Sequence, residues 1–150
     1  MVKELPLGEI TLRKYEKPYE SSKRELVRKV CLSLGLLQPG DSRDIIVDIV
    51  LVLEDSRKKK EWLSSFAIRD KVEALRKQNS LEIKGLAESN IRRQLKRLRD
   101  AMLADKQENQ YRLSEFAPIS EIFESKIEKF LIPQIIERIK EYLVKLETAQ

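Results

Sequence analysis

Four arginines and one lysine, Arg92, Arg93, Lys96, Arg97 and Arg99, crowd into eight residues of this 150-residue chain. Groups of this kind bind anions. A guanidinium fork fits a phosphate or the edge of a guanine, and an ammonium acts as a point charge on phosphate. Between residues 84 and 99 there are six basic residues and one acidic residue, Glu88, an excess equal to the formal net charge of the whole chain, +5. Elsewhere the two signs cancel, so the positive charge is placed rather than spread. The chemistry expected here is recognition of a polyanion, duplex DNA before others.

Other chemistries lack their parts. The chain has no histidine, which removes the commonest general acid or base and the commonest metal ligand. Cys31 is the single cysteine, so one chain can build neither a disulfide nor a cysteine-based zinc site. It reads as a buried small apolar residue of a reducing cytoplasm, with a thiol sensor as the alternative. Asp41, Asp44 and Asp48 read as a helix cap and a core-edge charge. No Gly-rich phosphate loop is visible, and no Ser or Cys stands beside an evident base. Neither an enzyme nor a resident cofactor or metal is expected. The N-terminus shows no basic region followed by an apolar run, so no signal peptide is expected. The longest apolar stretch, 45–53, is broken by Asp48 and too short to span a bilayer. The expected location is the cytoplasm, away from membranes. Abundant Lys, Glu and Arg with few Gly fit a thermophile's protein.

The elements that would position those cations follow from periodicity. The stretch LAESNIRRQLKRLRDAML, 86–103, places Leu86, Ile91, Leu95, Leu98 and Met102 on one helical face, with the basic residues opposite. Its helix proper is expected to begin near Glu88 or Ser89. Before it, residues 1–20 read as an extended arm with a weak strand over 9–15. A helix is expected over 21–36, with Ser22 and Glu25 as a capping box and Leu26, Val27, Val30, Cys31 and Leu34 on its buried face; Gly35 stops it. Asp41 or Ser42 caps a helix over 43–56, chosen over a buried strand for the run IIVDIVLVL. The basic run 57–60 reads as a second phosphate contact or as a solvated helix end. Ser64 or Ser65 caps a helix over 66–78 that buries Phe66, Ile68, Val72 and Leu75. Residues 81–85 form a small strand or an irregular turn.

Beyond the basic helix, 103–105 and 110–114 flank four polar residues, 106–109, and predict a β-hairpin with Tyr111 and Leu113 on one face and Arg112 on the other. Pro118 opens the last unit, with Ser120 as a candidate cap. Its apolar stripe is Ile119, Phe123, Ile127, Phe130 and Leu131. After Pro133 it continues as Ile136, Ile139, Leu143 and Leu146. From Ile132 the spacing is 4-3-4-3, the seam of a coiled coil, and these residues are the expected homodimer interface. Pro133 is expected to kink or divide the unit. The organisation is thus an arm and helix over 1–40, a central unit over 41–116 and a dimerisation helix over 117–150. The fold class is mainly α with a small β-hairpin, an α+β fold.

Helix, helix, linker, basic helix, hairpin, helix is the order of a winged helix-turn-helix domain. GLAESNIRRQLKRLRDAML followed by DKQENQYRLSEF resembles the recognition helix and wing of archaeal and bacterial winged-helix regulators of the MarR, ArsR and PadR type. Ser89, Ile91, Leu95, Leu98 and Leu103 occupy the family's pattern. Two departures stand out: Met102 lies where the family often has Gly, and the linker 79–87 is longer than the usual tight turn. The resemblance covers roughly 41–116. The metal-sensing version is disfavoured by the absence of soft ligands.

The resemblance implies that the basic helix enters the major groove. Ser89, Asn90, Arg92, Arg93 and Lys96 would reach base edges, and Arg97 and Arg99 would reach phosphates. Lys106, Gln107, Asn109 and Arg112 would belong to the wing, on the backbone or in the minor groove. A helix whose charges only face solvent alternates Lys or Arg with Glu, as 121–129 does; within 91–99 no acidic partner is present. Three functions compete: a dimeric transcription regulator, an architectural or replication-associated DNA binder of low sequence preference, and a winged helix that binds protein. No effector motif is visible.

Overall fold

The run Ile45–Leu53 sits at the centre of the molecule. In the computed structural model, which describes residues 4–150, it belongs to helix α2 (Ile45–Lys58), and Ile45, Ile46, Val47, Ile49, Val50, Val52 and Leu53 are all buried. A helix apolar on every side is stable only when surrounded, which is why this β-branched run is helical rather than a strand. The cap differs from expectation. Asp44 precedes the helix without a side-chain bond to its first turn, and Asp41 instead accepts the Arg43 N–H at 2.9 Å in a turn upstream. The basic run closes the helix. Arg57, half-buried, pairs with Glu54 at 2.8 Å, and exposed Lys59 pairs with Asp55 at 3.2 Å; the helix dipole also favours cations at this end.

Helix α1 (Lys23–Ser33) lies against α2. Ser22 accepts the Glu25 N–H at 3.1 Å, one half of the expected capping box. Gly35 follows at φ +73° and stops the helix. Of the face expected to be buried, Cys31 is buried and Val27 and Leu34 pack partly on the core, while Leu26 and Val30 are exposed. The arm is extended, but among the described residues it forms no strand; its reach over residues 1–3 lies outside them. It pairs with no strand of the sheet. Arg13 fixes it instead, donating its backbone N–H to Ser33 O at 2.8 Å and its guanidinium to Leu32 O at 2.7 Å and Leu37 O at 3.1 Å. The last carbonyl of α1, Ser33 O, has no helical partner, and Arg13 satisfies it from outside while adding a bond to Leu32 O, which also accepts the Gly35 N–H at 3.3 Å.

A buried ion cluster joins three helices. Asp48, with no exposed surface, accepts two bonds from Arg24 at 2.5 and 3.0 Å and one from Arg76 at 2.6 Å. Asp44 accepts from both arginines at 3.2 and 3.0 Å. Burial raises the Asp44 carboxyl, but the guanidinium groups of Arg76 and Arg24 outweigh it and hold the group below the usual carboxylate range. Asp48 is therefore a central charge with two partners, where sequence placed it at the core edge.

Ser64 caps α3 (Ser65–Gln78), accepting the Ala67 N–H at 3.1 Å. Ile68 and Val72 are buried and Leu75 packs partly on the core, but Phe66 is exposed, contrary to expectation. At about 100° per residue Phe66 lies some 200° around the helix from Ile68, on the opposite side. The linker is irregular and ends at α4 (Glu88–Asp100), which buries Ile91, Leu95 and Leu98. Strands β2 (Ala104–Gln107) and β3 (Gln110–Leu113) form the hairpin. Its turn is Glu108-Asn109, both at positive φ, so Lys106 and Gln107 belong to the strand rather than to a four-residue turn. A two-residue strand β1 (Leu63–Ser64), unforeseen from sequence, pairs antiparallel with β3 and gives the sheet order β1-β3-β2. The molecule is mainly helical with a small three-stranded antiparallel sheet.

After a 3-10 turn, Ser114–Phe116, the chain forms α5 (Ile119–Ile122), a π-helix over Phe123–Leu131 and α6 (Ile132–Thr148). Pro118, not Ser120, precedes the first turn. The core-facing residues are Ile122, Ile127 and, in part, Ile132. Residues five apart fall about 140° apart on an α-helix at about 100° per residue, and the wider turn of a helix with i→i+5 bonds brings them closer to one side. Pro133 does not divide the unit: Leu131 and Ile132 before it keep helical dihedrals, and the Ile132 N–H bonds Ile127 O, the i→i+5 pattern that leads the helix into the residue without an N–H. Ile127, expected at a dimer interface, is instead wholly buried in the core of the chain and presents no surface to a second copy, and Ile119 and Phe123 pack partly on the same core. Leu131 is half-buried. Phe130, Ile136, Ile139, Leu143 and Leu146 are exposed, and no residue of α6 is buried.

Candidate nucleic-acid interface

The basic helix stands on a fixed base. The linker before it is longer than a tight turn, yet three side chains hold it. Arg76 donates to Glu82 O at 2.6 Å, Arg69 to Leu86 O at 2.9 Å, and Asn90 to Gly85 O at 2.7 Å. Gly85 has φ +79°, and a Cβ there would approach Ile45 to 3.1 Å. The linker thus leans on the first turn of α2, and the entry of α4 is set by packing rather than by chain length.

The far end of α4 is closed as firmly. The Leu103 N–H bonds Leu98 O and the Met102 N–H bonds Arg99 O, both at 2.9 Å. This is a Schellman motif, and its left-handed position is Met102 at φ 65°. The glycine often found there in the family this stretch resembles suits that conformation; here methionine adopts it under strain.

Ser89, Arg92, Arg93, Lys96 and Arg99 lie exposed along one side of α4, opposite Ile91, Leu95 and Leu98. Their charges are less free than the contiguous run 91–99 implies. The helix brings Glu88 to Arg92 at 3.2 Å and Asp100 to Lys96 at 3.0 Å, partners just outside that run. The Lys96–Asp100 pair is exposed and contributes about 0–1 kcal/mol, so a phosphate can replace that carboxylate at small cost, whereas Glu88 is half-buried and holds Arg92 from the helix start. Among the described residues Arg93 and Arg99 have no acidic partner; Arg93 donates to Asn90 at 2.6 Å.

Other expected contacts separate into two kinds. Three are already engaged. Asn90 is half-buried and spends its amide on Gly85 O, Arg93 and Gln94, so it braces the linker. Arg97 turns aside, donating to Gly35 O at 3.2 Å and to Gln94. Arg112 is bound in place. Its guanidinium carbon lies 4.4 Å from the Trp62 ring centroid and 4.7 Å from that of Phe116, and Nε donates to Asp105 at 2.9 Å. Burial raises the Asp105 carboxyl, but the Glu115 N–H and Arg112 outweigh it and keep it below the usual range. Lys106, Gln107 and Asn109, by contrast, remain exposed on β2 and its turn.

Between the C-terminal half of α4 and β2 lies a concavity of ≈ 650 Å³, bordered by Lys96, Arg99, Lys106, Gln107, Arg112 and Trp62, with Asp100 and Asp105 on its edge. Of the helix and hairpin cations expected to act together, Lys96, Arg99, Lys106 and Arg112 border this concavity, and Arg92, Arg93 and Arg97 lie outside it. Trp62 and Phe66 are additions that the sequence reading lacked. Trp62 carries no periodic signal. Phe66 is legible from its two-residue offset from Ile68, which puts it off the buried face.

Among the described residues no group of His, Cys, Asp or Glu could hold a metal ion, and no helix is long and apolar enough to cross a membrane. Comparison with family models, with curated proteins and with solved structures finds no match for the chain.

Proposed function

We propose that this chain is a dimeric winged helix-turn-helix protein that binds duplex DNA and acts as a transcription regulator. In this reading α4 enters the major groove, and the β2–β3 hairpin is the wing that tracks the backbone or the minor groove. The observation that carries it is the exposed row Ser89, Arg92, Arg93, Lys96 and Arg99, on a helix braced at both ends and continued across a concavity by Lys106. The exposed stripe Ile136, Ile139, Leu143 and Leu146 supports pairing of two copies through α6.

The test is a mobility shift on duplexes selected from a random pool, titrated with salt. If about six to eight cations of the dimer meet phosphates, log K falls against log salt by about 0.9 per contact. Arg93→Ala lowers binding to the selected site, whereas Lys106→Ala weakens all duplexes alike. Absence of salt-sensitive binding to any duplex refutes the proposal. One observation favours an architectural DNA binder as the second reading: the amide of Asn90, the residue type best suited to an adenine edge, is spent on the linker. A ratio of specific to random binding near one supports that version over the regulator.

A further inference from the structure

Phe66 is a large aromatic residue left 61% exposed on the first turn of α3. It stands beside the start of α4. Ser65, the residue before it, donates a hydrogen bond to Glu88 Oε1, which ties the start of α3 to the start of α4. Glu88 Oε1 also holds Arg92 Nε at 3.2 Å, and the Arg92 guanidinium stands over the Phe66 ring, 6.0 Å from its centroid. Glu88 Oε2 is buried and bonds to nothing among the described residues, so the carboxylate is committed to Ser65 and Arg92 through one oxygen. An apolar ring and a bidentate donor are therefore presented side by side at the N-terminal end of the basic helix.

The two groups complement two features of the major groove. A guanidinium donates in bidentate fashion to guanine O6 and N7, and an apolar side chain contacts the C5-methyl group of a pyrimidine. Neighbouring base pairs are about 3.4 Å apart along the axis. An arginine on one guanine would thus set the adjacent ring against the methyl group of an adjoining base. We infer that Phe66 and Arg92 together read a guanine next to a C5-methylated pyrimidine, thymine or 5-methylcytosine. Glu88 is the positioning residue that keeps the guanidinium beside the ring. This rests on the DNA-binding reading above.

The test uses the full-length protein and a duplex selected from a random pool, with affinity measured by fluorescence anisotropy at one salt concentration. Each thymine is replaced in turn by deoxyuridine, which removes the methyl group and nothing else. At one thymine beside a guanine the wild type loses about fourfold in affinity, the equivalent of one methyl group of about 0.8 kcal/mol. Phe66→Ala binds the thymine and uracil duplexes equally, and Phe66→Leu keeps part of the preference. Replacing the adjoining guanine by 7-deazaguanine weakens the wild type by about tenfold and leaves Arg92→Ala indifferent. With a cytosine–guanine pair at the sensitive position, methylating the cytosine at C5 restores a similar factor. Normal affinity for the selected duplex with indifference to every thymine-to-uracil change overturns the inference and leaves the DNA-binding reading standing. Failure to retain any duplex at low salt overturns both.

Discussion

Replacing Asp48 by asparagine tests whether the buried cluster is a structural pivot. The carboxylate has no exposed surface and accepts three bonds from Arg24 and Arg76. An asparagine at this position would present an amide NH₂ to donors that need acceptors. Removing one partner of a buried ion pair costs about 3–5 kcal/mol, because the other charge stays buried. Here Arg76 retains Asp44 at 3.0 Å and Glu82 O at 2.6 Å, so the loss belongs near the lower limit, about 3 kcal/mol. For a chain of this size that lowers Tm by about 9 °C. Urea unfolding at neutral pH should show a lower midpoint with an unchanged m value. The double variant Asp48→Leu with Arg76→Met removes both buried charges and leaves Arg24 to Asp44. It should cost well under the sum of the two single changes. A loss below about 1 kcal/mol for Asp48→Asn, or additivity in the double variant, would refute the reasoning.

Met102→Gly should stabilise the fold by about 0.5 kcal/mol: relief of a left-handed residue is worth about 1–2 kcal/mol, offset by the freer unfolded chain. Met102→Ala, scored beside it in the same urea titration, should bring no gain. Asp44 titrates below its unfolded value, so its contribution is complete above about pH 4 and is lost as pH falls through the folded pKa. The stability gap between wild type and Asp44→Asn, measured by urea unfolding at a series of pH values, should therefore be full at neutral pH and narrow below about pH 4. Burial pushes the Cys31 thiol up to about 12, against weaker opposing pulls from Arg97 and Arg28. A thiol reagent at mildly alkaline pH should leave the native protein unmodified and label it promptly in urea. Leu143→Glu changes an exposed residue of the protomer, so it should leave monomer stability unaltered and abolish any dimer seen by sedimentation velocity.

The parts most legible in sequence are those where one physical rule acts alone. Ile91, Leu95 and Leu98 mark the buried side of α4 by spacing, and Tyr111 and Leu113 mark that of β3 by alternation. The arm is readable as extended but not as a strap, because Arg13 caps a helix end 19 residues away, a partnership no local pattern carries. Strand β1 is two residues long and exists only because β3 offers an edge. The basic helix is legible as basic, yet its neutralising partners Glu88 and Asp100 sit just past the ends of the run, and a count along the chain cannot see an i,i+4 pair that straddles its boundary. Asn90 and Arg112 illustrate a further limit. Residue type says what a side chain can bind, while the fold has already assigned both of them other partners.

The five-residue recurrence of Ile122, Ile127 and Ile132 has a consequence for how α6 is aimed. A helix that carries one residue more than an α path to cover the same contacts emerges rotated about its axis by about 100° for that residue. The π-helix before Pro133 therefore sets the rotational phase of the stripe Ile136, Ile139, Leu143 and Leu146 relative to the core. Deleting one exposed residue there, such as Ser125, would leave every apolar residue of α6 in place yet turn the stripe to another compass point. A second copy packed on that stripe would then carry its own basic helix in a different direction, so a change of one residue in the π-helix would re-space two basic helices without touching either.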